Sequence, residues 1–366
     1  MCKKIVIAGC LLAASISQAG EYQFEMGLDY TETDVDSGTE EDSHTVSGRY
    51  YLSPVDDSKG PLAEAAFLQR ASHIDLSYQK INWENDAILN PSSRRNANRG
   101  SVGATYIFKD SGWLLSADYS DGKQDAGTYD EDQYGYNVAV GKYVAENTLV
   151  SLAYNESVRD NSYDLDRYIC DFDMCLFIPF RRVSKTTKDG FNLAVKHVGN
   201  LGRFDYSLQA GYSQGEEKYK NEYWSNGNRL SRYSYDNDWT GENLDFAFYP
   251  SDRWRIGLGY RHNDTEGFDT EYYSVNLQWF ITPNIALDFG YSEAKPQEAE
   301  VYGVDIPDFN QNNGRFVPVD PDYAFFMPAN SISPIPIFDG NGTIFGRAAP
   351  LSLDEETVSV GLRIRF

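Results

Sequence analysis

Apolar and aromatic side chains recur at every second position in about fourteen segments of this chain, the period of a strand with one greasy face. The first reads Tyr22, Phe24, Met26, Leu28, Tyr30, with Gln23, Glu25, Gly27 and Asp29 on the opposite face. Later ones read Val102, Ala104, Tyr106, Phe108; Leu244, Phe246, Phe248; Trp254, Ile256, Leu258, Tyr260; and Val358, Val360, Leu362, Ile364, Phe366. The alternation lapses between Leu62 and Ala71, where a β-bulge would restore it.

The connections sharpen the pattern, because short and long ones alternate. Tight turns are expected near residues 55–60, 109–112, 145–147, 199–202, 250–252 and 282–284. Between them lie long polar stretches near 32–43, 81–98, 121–132, 158–188, 215–238, 263–270 and 296–353. A soluble sandwich or propeller also has many alternating strands, but nothing requires its connections to alternate in length. The asymmetry fits an all-β transmembrane antiparallel barrel of about 14 strands, with periplasmic turns and extracellular loops. An added hairpin within 296–353 would make sixteen. Phe108, Trp113, Phe248, Trp254, Trp279 and Phe280 flank the short turns and are expected to form a periplasmic aromatic girdle.

Composition agrees once the barrel is considered. The mean hydropathy of −0.53 would suit a water-soluble protein, yet a barrel needs apolar residues only on its lipid-facing positions. Residues 1–19 carry Lys3 and Lys4, an apolar run from Ile5 to Ile16, and the small-x-small site Ser17-Gln18-Ala19. This is the layout of a cleaved signal peptide, too short in its apolar part to span a bilayer. Its removal takes the net charge from −23 to −25, which argues against nucleic acid as a partner. Cys2 and Cys10 leave with the leader, whereas Cys170 and Cys175 remain, close in sequence and bound for an oxidising compartment, where a loop disulfide is expected. No metal site or cofactor is expected, since two cysteines without a nearby histidine offer too few ligands.

The final segment, Val358 to Phe366, resembles the C-terminal signal by which outer-membrane proteins are recognised by the barrel assembly machinery. Tyr50-Tyr51-Leu52-Ser53-Pro54-Val55, followed by Gly60-Pro61-Leu62-Ala63-Glu64-Ala65-Ala66-Phe67-Leu68, resembles the second and third strands of the putative general bacterial porin family. The resemblance implies a barrel in the outer membrane of a Gram-negative bacterium. It also implies passive diffusion of small hydrophilic solutes and ions; such a barrel is expected to meet lipid and, at its acidic loops, lipopolysaccharide, and a homo-oligomer is left open. Fourteen strands depart from the 16-strand trimer familiar among general porins. A selective channel for anionic solutes is one alternative, and a non-conducting surface or adhesion barrel is another.

If the apolar parity faces lipid, the other parity faces the lumen and its charges become candidate pore-lining groups. They are Arg253, Arg255 and Arg261 on one strand and Arg363 and Arg365 on the last, with the acids Glu25, Asp29, Asp75, Asp118, Asp205, Asp245 and Asp288 elsewhere. Fixed charges in a narrow pore set selectivity, because a permeating ion sheds part of its hydration beside them. The competing reading is that they pair across strands and solvate the wall. Catalysis is not expected. His44, His197 and His262 lack a partner at a defensible spacing, and His73, Asp75 and Ser77 share one strand face without forming a triad. Met174 to Phe180 and the apolar residues of 296–353, among them Phe325, Ile337, Phe338 and Phe345, are expected to be buried in the lumen, over the mouth or against a neighbour.

Overall fold

The computed structural model describes residues 20–35, 39–58, 60–85, 95–125, 129–171, 174–265, 268–296, 337–338, 344–345 and 355–366. The expected leader, residues 1–19, and most of 296–353 lie outside them. The strands are β1 (Glu21–Val35), β2 (Thr39–Asp56), β3 (His73–Asn85), β4 (Arg95–Phe108), β5 (Trp113–Asp125), β6 (Tyr129–Ala145) and β7 (Thr148–Asp171). They continue with β8 (Met174–Leu201), β9 (Phe204–Ser225), β10 (Asn228–Ser251), β11 (Trp254–Thr265), β12 (Phe268–Thr282), β13 (Ile285–Pro296), β14 (Ile337–Phe338), β15 (Ile344–Phe345) and β16 (Glu355–Arg365).

Fourteen of these strands pair antiparallel, each with its sequence neighbour, β13 pairing with β16. Pairing of β1 with β16, from Glu25 opposite Arg365 to Val35 opposite Glu355, closes the sheet on itself. The chain end is tied into this seam: Gln23 and Phe24 donate their amides to the Phe366 carbonyl, and the Phe366 amide donates back to Phe24. The two short strands β14 and β15 pair only with each other, so they do not enlarge the barrel to sixteen.

Closure fixes which parity faces out. Leu76, Val102, Leu115, Val138, Leu152, Leu193, Leu258, Val275 and Val360 are all exposed on the outer wall, a continuous apolar surface that only lipid would cover. At the short-turn end Trp254 and Trp279 stack with ring centroids 5.4 Å apart, and Phe108 and Trp113 are exposed at the same end on the other side of the barrel. Phe280 does not join this girdle. Its parity is inward and it is 1% exposed. At the opposite rim outward tyrosines donate to carboxylates, Tyr136 to Glu156 at 2.8 Å and Tyr273 to Glu271 at 2.7 Å. An amphipathic ring with its hydroxyl on an acid suits the boundary between tails and headgroups.

Two expectations change. The segments 158–188 and 215–238 are not open loops, since β7 to β10 run for 24, 28, 22 and 24 residues and remain laddered well past the membrane. A tilted membrane strand needs only about 9–11 residues. Cross-strand tyrosines and ion pairs such as Lys185 with Asp160 replace lipid as the support for these extensions. The second change concerns Pro61 to Leu68, which the resemblance places on a strand and whose lapsed alternation points to a β-bulge. Leu62–Glu64 form a 3-10 turn and Ala65–Leu68 a single helical turn, α1. Pro61 removes a ladder donor and suits a helix start, while Ala, Glu and Leu favour helix over strand. Arg70, at φ +53°, ends the turn.

Cys170 lies directly opposite Cys175 in the β7–β8 ladder. Directly opposed antiparallel residues have Cα atoms about 4.5–5.5 Å apart, within the span a disulfide bridges. Mass spectrometry of the protein isolated from membranes without reductant is expected to show the peptide containing both residues two hydrogens lighter than its reduced form. Two alkylatable thiols would be the contrary result.

Candidate functional site

The β2–β3 connection is the one short-end connection that does not turn back at once, and it folds into the barrel. Leu62 donates its amide to the Asp252 carbonyl in the β10–β11 turn, and its own carbonyl accepts from Arg365 Nη1 at 2.9 Å. Leu62 packs on Phe280 and Ala286, from β12 and β13. Glu64, only 5% exposed, accepts from the Tyr249 hydroxyl at 2.6 Å and lies 2.8 Å from Lys196 Nζ. Phe67 rests on Tyr143 of β6, which is also covered by the Arg70 guanidinium. In the strand order β10 stands on the far side of the barrel from β2 and β3, so the segment bridges the lumen as a crossbar.

Above the crossbar the wall is polar. A cavity of about 290 Å³ is lined by Ala63 and Glu64 of the crossbar and by Arg255, Gln278, Asp288 and Arg363 of the wall. Register explains the assembly, because Arg255, Gln278, Asp288, Gly361 and Asp29 stand opposite one another in successive strands and form one inward row. Gln278 donates to Asp288 at 2.7 Å, and Arg363 lies 3.7 Å from Asp288 and 3.5 Å from Glu25. Gly361 leaves room in this row, since a Cβ there would collide with Asp29.

The proposed arginine ladder is not assembled as one group. Arg255 faces the cavity and donates to Asn276, Arg261 is exposed near the far end of β11, and Arg253 sits exposed in the Asp252–Arg253 turn, outside the strand. Arg365 and Glu25 also depart from the pore-lining expectation. Arg365 is 3% exposed, 2.7 Å from Glu25 and sandwiched by Tyr22 and Phe280, so this pair anchors the crossbar. The acids divide by height and by partner. Asp205 accepts from Asn200 at the short-turn rim, Asp75 pairs with Arg49 at 2.6 Å, Asp118 accepts from Asn137, and Asp245 is exposed on the inner wall beside Asn243. His73 does reach Asp75, at 3.2 Å, but Ser77 binds Ser101 instead, so no triad forms.

Sequence reasoning missed Glu64, Lys196 and Tyr249. Lys196 and Tyr249 lie on the inward parity of β8 and β10, and the lapse of alternation around Glu64 was the available signal that this segment leaves the wall. Its direction, into the barrel, depends on partners contributed by six other strands.

The model of the family described as putative general bacterial porin matches residues 1–306. No curated protein matches the sequence. Among solved structures, the Acinetobacter baumannii outer membrane protein Omp33 is 16% identical, with 95% of this chain and 100% of that chain covered and a TM-score of 0.46. The deltaS2S3 mutant of the monoaromatic hydrocarbon channel TodX is 10% identical, with 96% and 91% covered and a TM-score of 0.51. At such identity the likeness is one of fold.

Replacing Glu64 by Ala would leave Lys196 and Tyr249 without their shared acceptor inside the barrel. The folded barrel is expected to lose roughly 2–4 kcal/mol, read as a lower unfolding temperature in detergent. Its single-channel conductance is expected to rise as the crossbar loosens. Conductance equal to that of the unaltered protein would mean that the crossbar does not limit the aperture.

Proposed function

This chain belongs to the putative general bacterial porin family, and we propose that its outer-membrane channel passes small hydrophilic solutes and ions by passive diffusion. The observation that supports this reading most directly is a closed barrel whose inner wall carries Arg255, Arg363, Asp29, Asp118, Asp245 and Asp288 above a lumen-spanning crossbar. Fixed charges and hydrogen-bonding groups replace part of the water lost by a polar solute in a confined passage, whereas an apolar solute gains nothing there. The crossbar places its own charge, Glu64, against Arg255 and Arg363 around one cavity, so solutes are sorted both by size and by charge. Nothing in this mechanism calls for a bond to be made or broken.

The termini fit the same reading. The leader at 1–19 would direct export and be removed, and Phe366, held in the closing seam, would present the last strand to the assembly machinery. The outward tyrosine–carboxylate rim would meet the lipopolysaccharide headgroups, and the long hairpins would stand outside the cell.

Purified protein in a planar bilayer tests the proposal. Ion conductance is expected, together with swelling of liposomes in small sugars. Folded protein without conductance that excludes small sugars would instead favour a surface or adhesion role. The selectivity arm uses Arg255→Gln with Arg363→Gln, because these two arginines face the cavity. The reversal potential in a salt gradient is expected to move toward cation selectivity, and an unmoved potential would show that the arginines only solvate the wall.

A further inference from the structure

Above the membrane the inner face of β8 to β10 changes character, from small and charged groups to aromatic rings. Inward parity on these strands brings Tyr219 opposite Tyr235, Asn221 opposite Tyr233, and Trp239 opposite Gly215. Centroids are 5.0 Å apart for Tyr219 and Tyr235, 6.1 Å for Tyr219 and Tyr233, and 6.2 Å for Tyr223 and Tyr233. From Tyr233 to Trp239 is six residues of strand, about 20 Å.

Polar groups fix Tyr219, Tyr223, Tyr233 and Trp239 rather than leaving them free to turn. Asn221, 0% exposed, donates to the Tyr233 hydroxyl at 2.7 Å, and its amide nitrogen lies 3.3 Å from the hydroxyls of Tyr219 and Tyr223. Its carbonyl accepts from Arg182 Nε at 3.1 Å, and the same guanidinium donates to Tyr219 at 2.6 Å. Trp239 donates to the Asp189 carbonyl, with the Lys188 ammonium 4.5 Å from its ring. It lies over Gly190, where a Cβ would come within 2.6 Å of the indole. Burial pushes the Tyr219 and Tyr235 phenols up, so both remain neutral hydroxyls.

Cross-strand packing accounts for Tyr223 and Asn221, which are buried. It does not account for Tyr233 and Tyr235, which keep 42% and 46% of their surface open on the inner face. A row of flat rings with hydroxyls and amides at their edges matches a solute that is also flat, apolar on its ring faces and hydroxylated at its rim. We propose that the inner face of the β8–β10 extension is a binding track for neutral oligosaccharides, which stack on Tyr233, Tyr235 and Trp239 before entering the lumen. The track continues the inner wall of the channel through Ser213, Asn192 and Asn243 down to Asp245, so this inference rests on the reading of that wall as a solute path. Neutrality of the ligand follows from the open groups being the phenols of Tyr233 and Tyr235, while the Arg182 guanidinium is engaged by Asn221 and Tyr219 and the Lys188 ammonium lies over the Trp239 ring.

Direct binding separates the track from conduction. The full-length protein in detergent is titrated with maltohexaose, with sorbitol as an acyclic polyol and benzoate as an aromatic acid, and tryptophan fluorescence is recorded. Maltohexaose is expected to change the emission saturably, sorbitol and benzoate not, and the signal is expected to vanish in Trp239→Phe. Tyr233→Ala with Tyr235→Ala should weaken maltohexaose binding roughly tenfold, the loss expected from two ring contacts. Tyr233→Phe with Tyr235→Phe, which keeps the rings, should restore most of it. No saturable change with maltohexaose in the unaltered protein overturns the proposal, as does binding of benzoate alone or equal binding by the alanine pair. Because this readout needs no current, a barrel that binds maltohexaose but does not conduct would sink the porin reading and leave the track standing.

Discussion

Inside a bilayer a backbone amide or carbonyl has no water to turn to, and each one left unpaired costs several kcal/mol. A sheet can meet that demand only by having no edge. The pairing of β1 with β16 removes the last edge, and the amides around Gln23, Phe24 and Phe366 finish the seam at the chain terminus. Everything else in the molecule hangs from this closure. It separates an outer wall, where leucine and valine can be exposed without penalty in lipid, from an inner wall where charges can be kept wet.

Charges that closure forces out of water must then find partners, and the crossbar is built from such pairings. Glu25, Arg365, Glu64 and Tyr249 are nearly enclosed, and each buried ion is held by an opposite charge and further hydrogen bonds, with the half-buried Lys196 pairing Glu64 from the wall. The wall is held by ladders along every strand, whereas the crossbar is held by a few hydrogen bonds and ion pairs and three small apolar clusters. Local opening breaks fewer backbone hydrogen bonds in the crossbar than in the barrel wall, and must instead break the packing and ion pairs around it.

The extended hairpins obey a different rule. Beyond the lipid their outer face meets water, so alternation of apolar residues would be a liability there and gives way mostly to charged and polar residues such as Lys185, Thr187, Asp189, Glu216, Lys218 and Lys220. Their inner face has no lipid on one side and no bulk core on the other. Tyrosine suits it because its ring packs across strands while its hydroxyl stays satisfied, as the contacts of Asn221 with three phenols show.

The sequence by itself determined the barrel and which parity faces lipid, because each strand writes a two-residue period that needs no knowledge of its neighbours; it left fourteen or sixteen strands open, and the pairing of β14 with β15 alone decided for fourteen. It also marked the short-turn end and the seam-forming Phe366. It did not determine the lumen. Arg255 and Arg253 share a parity, yet only Arg255 reaches the cavity, since the turn at Asp252 starts the strand one residue too late for Arg253. Arg365 and Arg363 also share a parity, yet Arg365 is buried against Glu25 because the crossbar packs over it. The lapse at Leu62 to Ala71 was visible, but its path across the barrel was not. That path is set by Asp252, Tyr249, Lys196 and Phe280, residues more than a hundred positions away that only closure brings within reach.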